Sequence, residues 1–172
     1  MVPSDSDHKA GFAANRRSVL GLLSAGVAAP ALAACGIEPA QAKSFPFRLS
    51  EAQWRKRLTK SEFYILRQAG TERPYSSPLD REKRRGTFVC AGCEHKLYSS
   101  RTKFDSRTGW PSFYKAVSGG VGTSTDYKIG VPRTEVHCAN CGGHLGHIFS
   151  DGPAPTGKRH CINGIALDFV PA

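Results

Sequence analysis

Two runs near residue 50 repeat every three to four residues, and the rest of the chain does not. Ser50 with Gln53 and Thr59 with Glu62 are two S/T-x-x-E/Q capping boxes in succession. The first predicts a short helix through Trp54 and Leu58, and the second a helix over Lys60 to Ala69 stopped by Gly70. Phe63, Leu66 and Trp54 then face a core, which is the ordinary role of such residues. From Thr71 onward short runs are cut by Gly, Pro and Ser, with alternation at Thr87-Phe88-Val89 and Thr134-Glu135-Val136, the signature of short antiparallel strands. Ser76 to Arg85 is a polar connection and Gly119 to Gly122 a flexible turn. Asp126 to Pro132 reads as a strand ended by its proline, and Ile162 to Phe169 as a closing strand with a bulge or tight turn at Asn163-Gly164. The fold class is mainly β: a small antiparallel β-sheet domain with two short N-terminal helices.

The segment before this domain has another character. Asn15-Arg16-Arg17-Ser18-Val19-Leu20 sets a twin-arginine pair before Val19 to Ala34, an Ala- and Gly-rich run broken by Pro30 and too short to span a bilayer. It reads as an export signal of twin-arginine type, which carries folded proteins across the bacterial inner membrane. A division into residues 1–42, signal or disordered segment, and residues 43–172, the domain, follows. Ala31-Leu32-Ala33 and Ala40-Gln41-Ala42 both satisfy the small-x-small cleavage rule. Leu32-Ala33-Ala34-Cys35-Gly36 resembles a lipobox, in which Cys35 would be lipidated and anchor the protein to a membrane. The expected location is periplasmic or otherwise exported.

Charge is carried by the domain. The chain has 24 Lys+Arg and 14 Asp+Glu, a formal +10. Residues 1–42 cancel, with Lys9, Arg16 and Arg17 against Asp5, Asp7 and Glu38. A basic face of this size can attract nucleic acid, anionic lipid or acidic proteins, and more often is only solvated. A zinc-stabilised basic β-domain acting as a binding module is the alternative to an enzyme. Export argues against nucleic acid as a partner, and no RNA-binding aromatic motif occurs.

The cysteines sort themselves by spacing. Cys90-Ala91-Gly92-Cys93 and Cys138-Ala139-Asn140-Cys141 are two CxxC pairs, each able to aim two sulfurs from one tight turn at a tetrahedral ion. A four-thiolate shell is closed, so Zn2+ held there is structural, one ion per chain. Paired disulfides or a redox-active CxxC are the competing readings. Cys161 has no such partner. It follows Arg159-His160 and is the candidate nucleophile, since a positive charge and imidazoles favour a thiolate.

Three further motifs complete the picture: Gly109-Trp110-Pro111-Ser112-Phe113; Gly142-Gly143-His144-Leu145-Gly146-His147 running on through Asp151 to Pro153; and Arg159-His160-Cys161-Ile162-Asn163. With Thr71-Glu72-Arg73-Pro74 and Lys103-Phe104-Asp105-Ser106, in this order, the chain resembles the peptide methionine-(R)-S-oxide reductases, the B-type methionine sulfoxide reductases, from about Trp54 to Phe169. The resemblance implies an Mss4-like β-tent and thiol-dependent reduction of peptide-bound methionine-R-sulfoxide. It also implies a Cys161 nucleophile that becomes a sulfenic acid, His144 and His147 binding and protonating the sulfoxide oxygen, and Trp110 walling the S-methyl pocket. Asn163, Arg159 and Asp151 would be the supporting shell, and His160 is read as structural. The chemistry agrees: a soft nucleophile attacks sulfur while the departing oxygen is protonated. The implied partners are methionine-R-sulfoxide-containing proteins or peptides and a thioredoxin-like or small-thiol reductant, and a monomer is expected. Many family members carry a resolving cysteine just before the tryptophan, where this chain has Thr108. Reduction by an external thiol is therefore favoured over Cys35 or a cysteine released from zinc. Arg107, where glycine is frequent in the family, raises a question of turn geometry.

Overall fold

A computed structural model describes residues 44–172. Arg16-Arg17, the run Val19 to Ala34, the cleavage motifs and Cys35 lie outside the described residues. Both capping boxes form. Ser50 opens α1 (Glu51–Arg57) by accepting from the Gln53 amide while the Gln53 side chain accepts from the Ser50 amide, and Thr59 and Glu62 do the same for α2 (Lys60–Gln68). Trp54 is buried from α1, and Phe63, Ile65 and Leu66 from α2. The left-handed stop of α2 is Ala69, at φ 50°, one residue before the glycine expected to supply it. Gly70 is needed for a different reason: a Cβ there would run into the ring of Tyr64.

Among the described residues nine strands follow, all antiparallel: β1 (Gly86–Cys90), β2 (Lys96–Ser99), β3 (Lys103–Phe104), β4 (Ser112–Phe113), β5 (Val121–Asp126), β6 (Arg133–Cys138), β7 (His144–Phe149), β8 (Arg159–Ile162) and β9 (Leu167–Pro171). They form a three-stranded sheet, β2-β1-β9, and a six-stranded sheet, β3-β4-β8-β7-β6-β5. Phe88 and Tyr98 from the first meet Phe113 from the second, with Tyr98 and Phe113 stacked at 4.3 Å. Leu97, Val136, Leu145 and Ile162 fill the same core, each fully buried and each contributing about 1.5–3 kcal/mol. α2 packs on β7 and on the 3-10 turn Gly164–Ala166.

Two strand expectations shift. Of the strand expected over Asp126 to Pro132, only Asp126 is in one, as the last residue of β5; Tyr127 to Pro132 is the connection between β5 and β6. The strand is Val121–Asp126 and takes in two residues read as flexible turn, because a six-residue pairing with β6 outweighs the β-poor glycine at 122. Ile162 to Phe169 is not continuous either: the chain leaves the large sheet at Ile162, makes the 3-10 turn, and enters the small sheet as β9. Asn163-Gly164 is the turn beside Cys161, as expected, and it joins the two sheets. Among the described residues no helix is long and apolar enough to cross a membrane.

Candidate active site and metal centre

The two CxxC turns are copies of one knuckle. Cys90 N–H donates to His95 O and Glu94 N–H to Cys90 O; Cys138 N–H donates to Gly143 O and Gly142 N–H to Cys138 O. The left-handed positions that close them are Glu94 at φ 60° and Gly142 at φ 68°. One knuckle ends β1 of the small sheet and the other ends β6 of the large sheet, so the four sulfurs tie the sheets together. All four lie within 4.8 Å of one another. Cys90 and Cys141 sulfurs are 3.8 Å apart, and Cys93 and Cys138 sulfurs 3.6 Å. The edge of a tetrahedron with metal–sulfur bonds of about 2.3 Å is about 3.8 Å, so the set fits a tetrahedral thiolate-bound ion.

The second site is written across the large sheet as a row of partners. Ser112 on β4 faces Cys161 on β8, Cys161 faces His147 on β7, His147 faces Glu135 on β6, and Glu135 faces Ser124 on β5. Cross-strand partners share a face, with Cβ atoms about 4.5–5.5 Å apart. His144 joins that face although it lies three positions before His147, an odd offset that regular alternation would send to the other side. A bulge solves this: Val136 pairs with Gly146 and His137 with His144, leaving Leu145 as the extra residue. The rings of His144 and His147 then meet edge-on at 5.4 Å. The two histidines thus stand on a bulged strand. Gly146 is there because a Cβ would collide with the Cys161 carbonyl oxygen and part β7 from β8.

Each imidazole has a carboxylate. His144 Nδ1 is 2.7 Å from Glu135 Oε1, and His147 Nε2 is 2.8 Å from Asp126 Oδ2. The His144 bond, with a second from the Ser124 hydroxyl, pulls Glu135 down to about 2, and the Lys128 amide, His147 and Arg133 hold Asp126 well below the usual carboxylate range. Burial keeps His147 below the ordinary imidazole value despite Asp126, so it is neutral at pH 7.

Cys161 lies half-buried at a pocket of about 190 Å3 whose walls include Trp110, Phe149, His147 and Asn163. His144 does not line this pocket; it stands behind His147. Arg159 and Asp151 do not line it either. They form a bidentate pair at 2.9 and 2.8 Å on the Thr108 side of the sulfur, with the guanidinium 4.5 Å from the Phe149 ring centroid. Asn163 is buried and holds the turn: its carbonyl oxygen accepts from Glu72 N–H at 2.9 Å and its amide donates to Leu145 O at 3.0 Å. Trp110 Nε1 donates to Glu72 O. His160 points away to Tyr98, Nδ1 to hydroxyl 3.2 Å, a structural contact.

One electrostatic expectation is corrected. Burial pushes the Cys161 thiol above its ordinary value, outweighing Arg159 and the hydrogen bonds from Thr108 and Arg159 that favour the thiolate. His147, held below the ordinary imidazole value by burial, adds no positive charge to that of Arg159. Arg107 resolves simply: it takes φ 58°, with its amide bound to Asp105 Oδ1 at 2.9 Å.

Glu72, Glu135 and Asp126 were not singled out from the sequence. Glu72 is buried, and its carboxylate caps the 3-10 turn by accepting from Gly164 and Ile165 amides. Burial raises its pKa. The signal for Glu135 is its place two residues from His137 and Arg133, on the polar face of β6; Asp126 gave none.

Comparison with known proteins agrees with this arrangement. The SelR domain family matches residues 58–171. The peptide methionine sulfoxide reductase MsrB of Methanosarcina barkeri is 52% identical over 121 residues, 70% of this chain and 85% of that protein. Its counterpart in Agrobacterium fabrum is 50% identical over 123 residues, 71% of this chain and 91% of that protein. The chloroplastic peptide methionine sulfoxide reductase B1 of Arabidopsis thaliana is 51% identical over 120 residues, 69% of this chain and 59% of that protein. By its motifs, its sheet-borne cysteine and histidines and these likenesses, the chain belongs to the SelR domain family, that of the MsrB peptide methionine sulfoxide reductases.

Proposed function

We propose that the protein reduces the R-epimer of peptide-bound methionine sulfoxide, with Cys161 as nucleophile, and that it repairs exported proteins. The observation that carries this is the sheet row setting Cys161 beside His147 at a pocket walled by Trp110. A substrate S-methyl group against the Trp110 ring brings the sulfoxide sulfur to Cys161 and its oxygen toward His147. Neutral His147, its ring held by Asp126, takes the thiol proton and returns it to the sulfoxide oxygen. Cys161 sulfur bonds to the sulfoxide sulfur, and the protonated oxygen passes to Cys161 as the methionine S–O bond and the transient S–S bond break, leaving methionine and Cys161–SOH. Methionine sulfur is reduced by two electrons and Cys161 is oxidised by two, to the sulfenic acid. An external thiol then attacks, giving a mixed disulfide and water, and a second thiol releases Cys161 and a disulfide. Arg159, held by Asp151, stabilises the thiolate through its charge. His144 orients His147, and Asn163 fixes the turn that presents Cys161.

Cys90, Cys93, Cys138 and Cys141 would hold Zn2+, which when bound would tie the two sheets together. With all four positions filled by thiolates it offers no site to substrate. Export by the twin-arginine pair completes the proposal, with the mature N-terminus set by cleavage after Ala33, cleavage after Ala42 or lipidation of Cys35. Peptides carrying each sulfoxide epimer, incubated with dithiothreitol or a thioredoxin system, test it: only the R-epimer is consumed. Consumption of the S-epimer alone, or of neither, overturns it. Mass spectrometry of the mature exported protein tests the N-terminus; retention of residues 1–42 without lipid overturns the export reading.

A further inference from the structure

The connection between β5 and β6 is unlike an ordinary hairpin tip. Turn residues are commonly Gly, Asn, Asp, Ser or Pro, because these satisfy the backbone and remain solvated. Here Tyr127 is 68% exposed, Ile129 61% and Val131 54%, three large apolar side chains within five residues. The tip is nevertheless well tied. Lys128 N–H donates to Asp126 Oδ1 at 2.7 Å, Gly130 N–H to Tyr127 O at 2.9 Å, and Lys128 Nζ reaches Ala69 O, at the end of α2, at 3.1 Å.

That last bond closes one side of a groove of about 590 Å3 between the tip and α2, with Tyr64, itself 51% exposed, on the far wall. The groove does not end blindly. Thr71, Arg133 and His147 belong both to it and to the smaller pocket that holds Cys161. An extended chain lying along Tyr64, Tyr127 and Ile129 therefore reaches the Cys161 pocket without leaving the surface. The carboxylates on the groove floor are already engaged: Asp126 with His147 and Arg133, Glu135 with His144 and Ser124. The groove is lined by polar and apolar groups alike, and its large exposed apolar side chains are Tyr64, Tyr127 and Ile129. Contiguous exposed apolar surface on a small domain marks an interaction site.

We infer that this groove binds the stretch of substrate polypeptide flanking the methionine sulfoxide and favours apolar or aromatic flanking residues. The inference rests on the reading of Cys161 and its pocket given above and adds what selects the protein substrate. Flanks of that kind are buried in a folded protein and exposed once it is damaged, so the groove directs the enzyme to oxidised chains that have lost their packing. It fits a substrate chain better than a second copy of this protein, because its floor runs into the catalytic pocket, which a symmetric partner would block.

The test compares three substrates: N-acetyl-methionine-R-sulfoxide, a peptide with the sulfoxide between Leu and Phe, and one with it between Asp and Gly. The wild-type protein is expected to show kcat/KM about tenfold higher for the first peptide than for the second. In Y127S/I129S that advantage falls to less than about twofold, through KM. N-acetyl-methionine-R-sulfoxide, which has no flanks, is turned over equally by both proteins. Both substituted side chains are exposed, and matching circular dichroism and Tm confirm that the variant is folded. Equal kcat/KM for the two peptides in the wild type, or an undiminished advantage in Y127S/I129S, overturns the inference. So does a wild-type dimer that Y127S/I129S dissociates with peptide kinetics unchanged, which would make the groove a self-association face. Failure to reduce N-acetyl-methionine-R-sulfoxide would instead count against the activity itself.

Discussion

Five cysteines among the described residues do two different things, and the contrast lies in what surrounds each sulfur. Cys90, Cys93, Cys138 and Cys141 hang from paired turns at strand ends, sulfur facing sulfur at 3.6 to 3.8 Å in the crossed pairs. Each of these sulfurs faces the other three, in a set that fits a tetrahedral ion. Cys161 stands within a strand, its sulfur partnered by Thr108 and Arg159 and its cross-strand neighbour His147, beside an open pocket. Turns make a closed shell because they bring several like ligands to one point. A strand makes a reactive site because it sets unlike side chains in a row on one face.

That difference is broken most severely by removing the metal set. Cys138→Ser, or chelation of the ion, is expected to cost at least about 4 kcal/mol of stability, a fall in Tm of more than about 10 °C measured by calorimetry. A midpoint unchanged within 2 °C or so would show that the sulfurs do not join the sheets. Cys161→Ser should do the reverse, lowering kcat/KM by at least about a thousandfold with metal content and Tm unchanged. His147→Asn is expected to lose about a hundredfold in kcat. His144→Asn, which stands one ring behind, should lose less, and the order of those two losses checks that His147 is the proton carrier.

The pH profile sharpens the same contrast. Because the Cys161 thiol keeps its proton until neutral His147 takes it, the acid limb of kcat/KM belongs to His147 and should lie below the ordinary imidazole value of about 6.5. A second rise is expected only where the thiol itself ionises, above the ordinary thiol pKa of about 8.5, and Arg159→Met moves that rise higher because it removes the charge that favours the thiolate. A single limb near the thiol value, with no rise below neutrality, contradicts proton transfer to His147. The smallest effect is on acid stability. Glu135 is lowered from 4.5 to about 2, mainly by its hydrogen bond to His144. Its contribution is complete above pH 4.5 and is lost as pH falls toward 2, so urea midpoints of Glu135→Gln should vary less with pH in that window than those of the parent protein.

What could be read from the sequence was whatever is local. Each capping box spans four residues and formed as written. Each CxxC knuckle is a single turn, so only the meeting of the two had to be supposed. Cys161, Trp110 and Asn163 came from short motifs, and all three line the same pocket. What escaped depends on register between strands distant in sequence. The bulge at Leu145 that turns His144 and His147 to one face, the carboxylates of Asp126 and Glu135 behind those rings, and the Glu72 cap on the 3-10 turn each need a partner that no spacing rule supplies. The misplaced strand at Asp126 to Pro132 has the same origin. Its alternating apolar residues, Tyr127, Ile129 and Val131, look like a buried face, yet they are exposed at the tip, where the substrate-groove inference gives them a use.

The division of labour between the two cysteine groups is tested most directly by one single-turnover experiment. The metal-loaded protein is mixed with one equivalent of R-sulfoxide peptide and dimedone, without reductant, and every cysteine-containing fragment is examined by mass spectrometry. Cys161 alone should carry the adduct, in proportion to methionine formed, while Cys90, Cys93, Cys138 and Cys141 remain unmodified. Methionine formation with no adduct on Cys161, or an adduct on any of the other four, would contradict it.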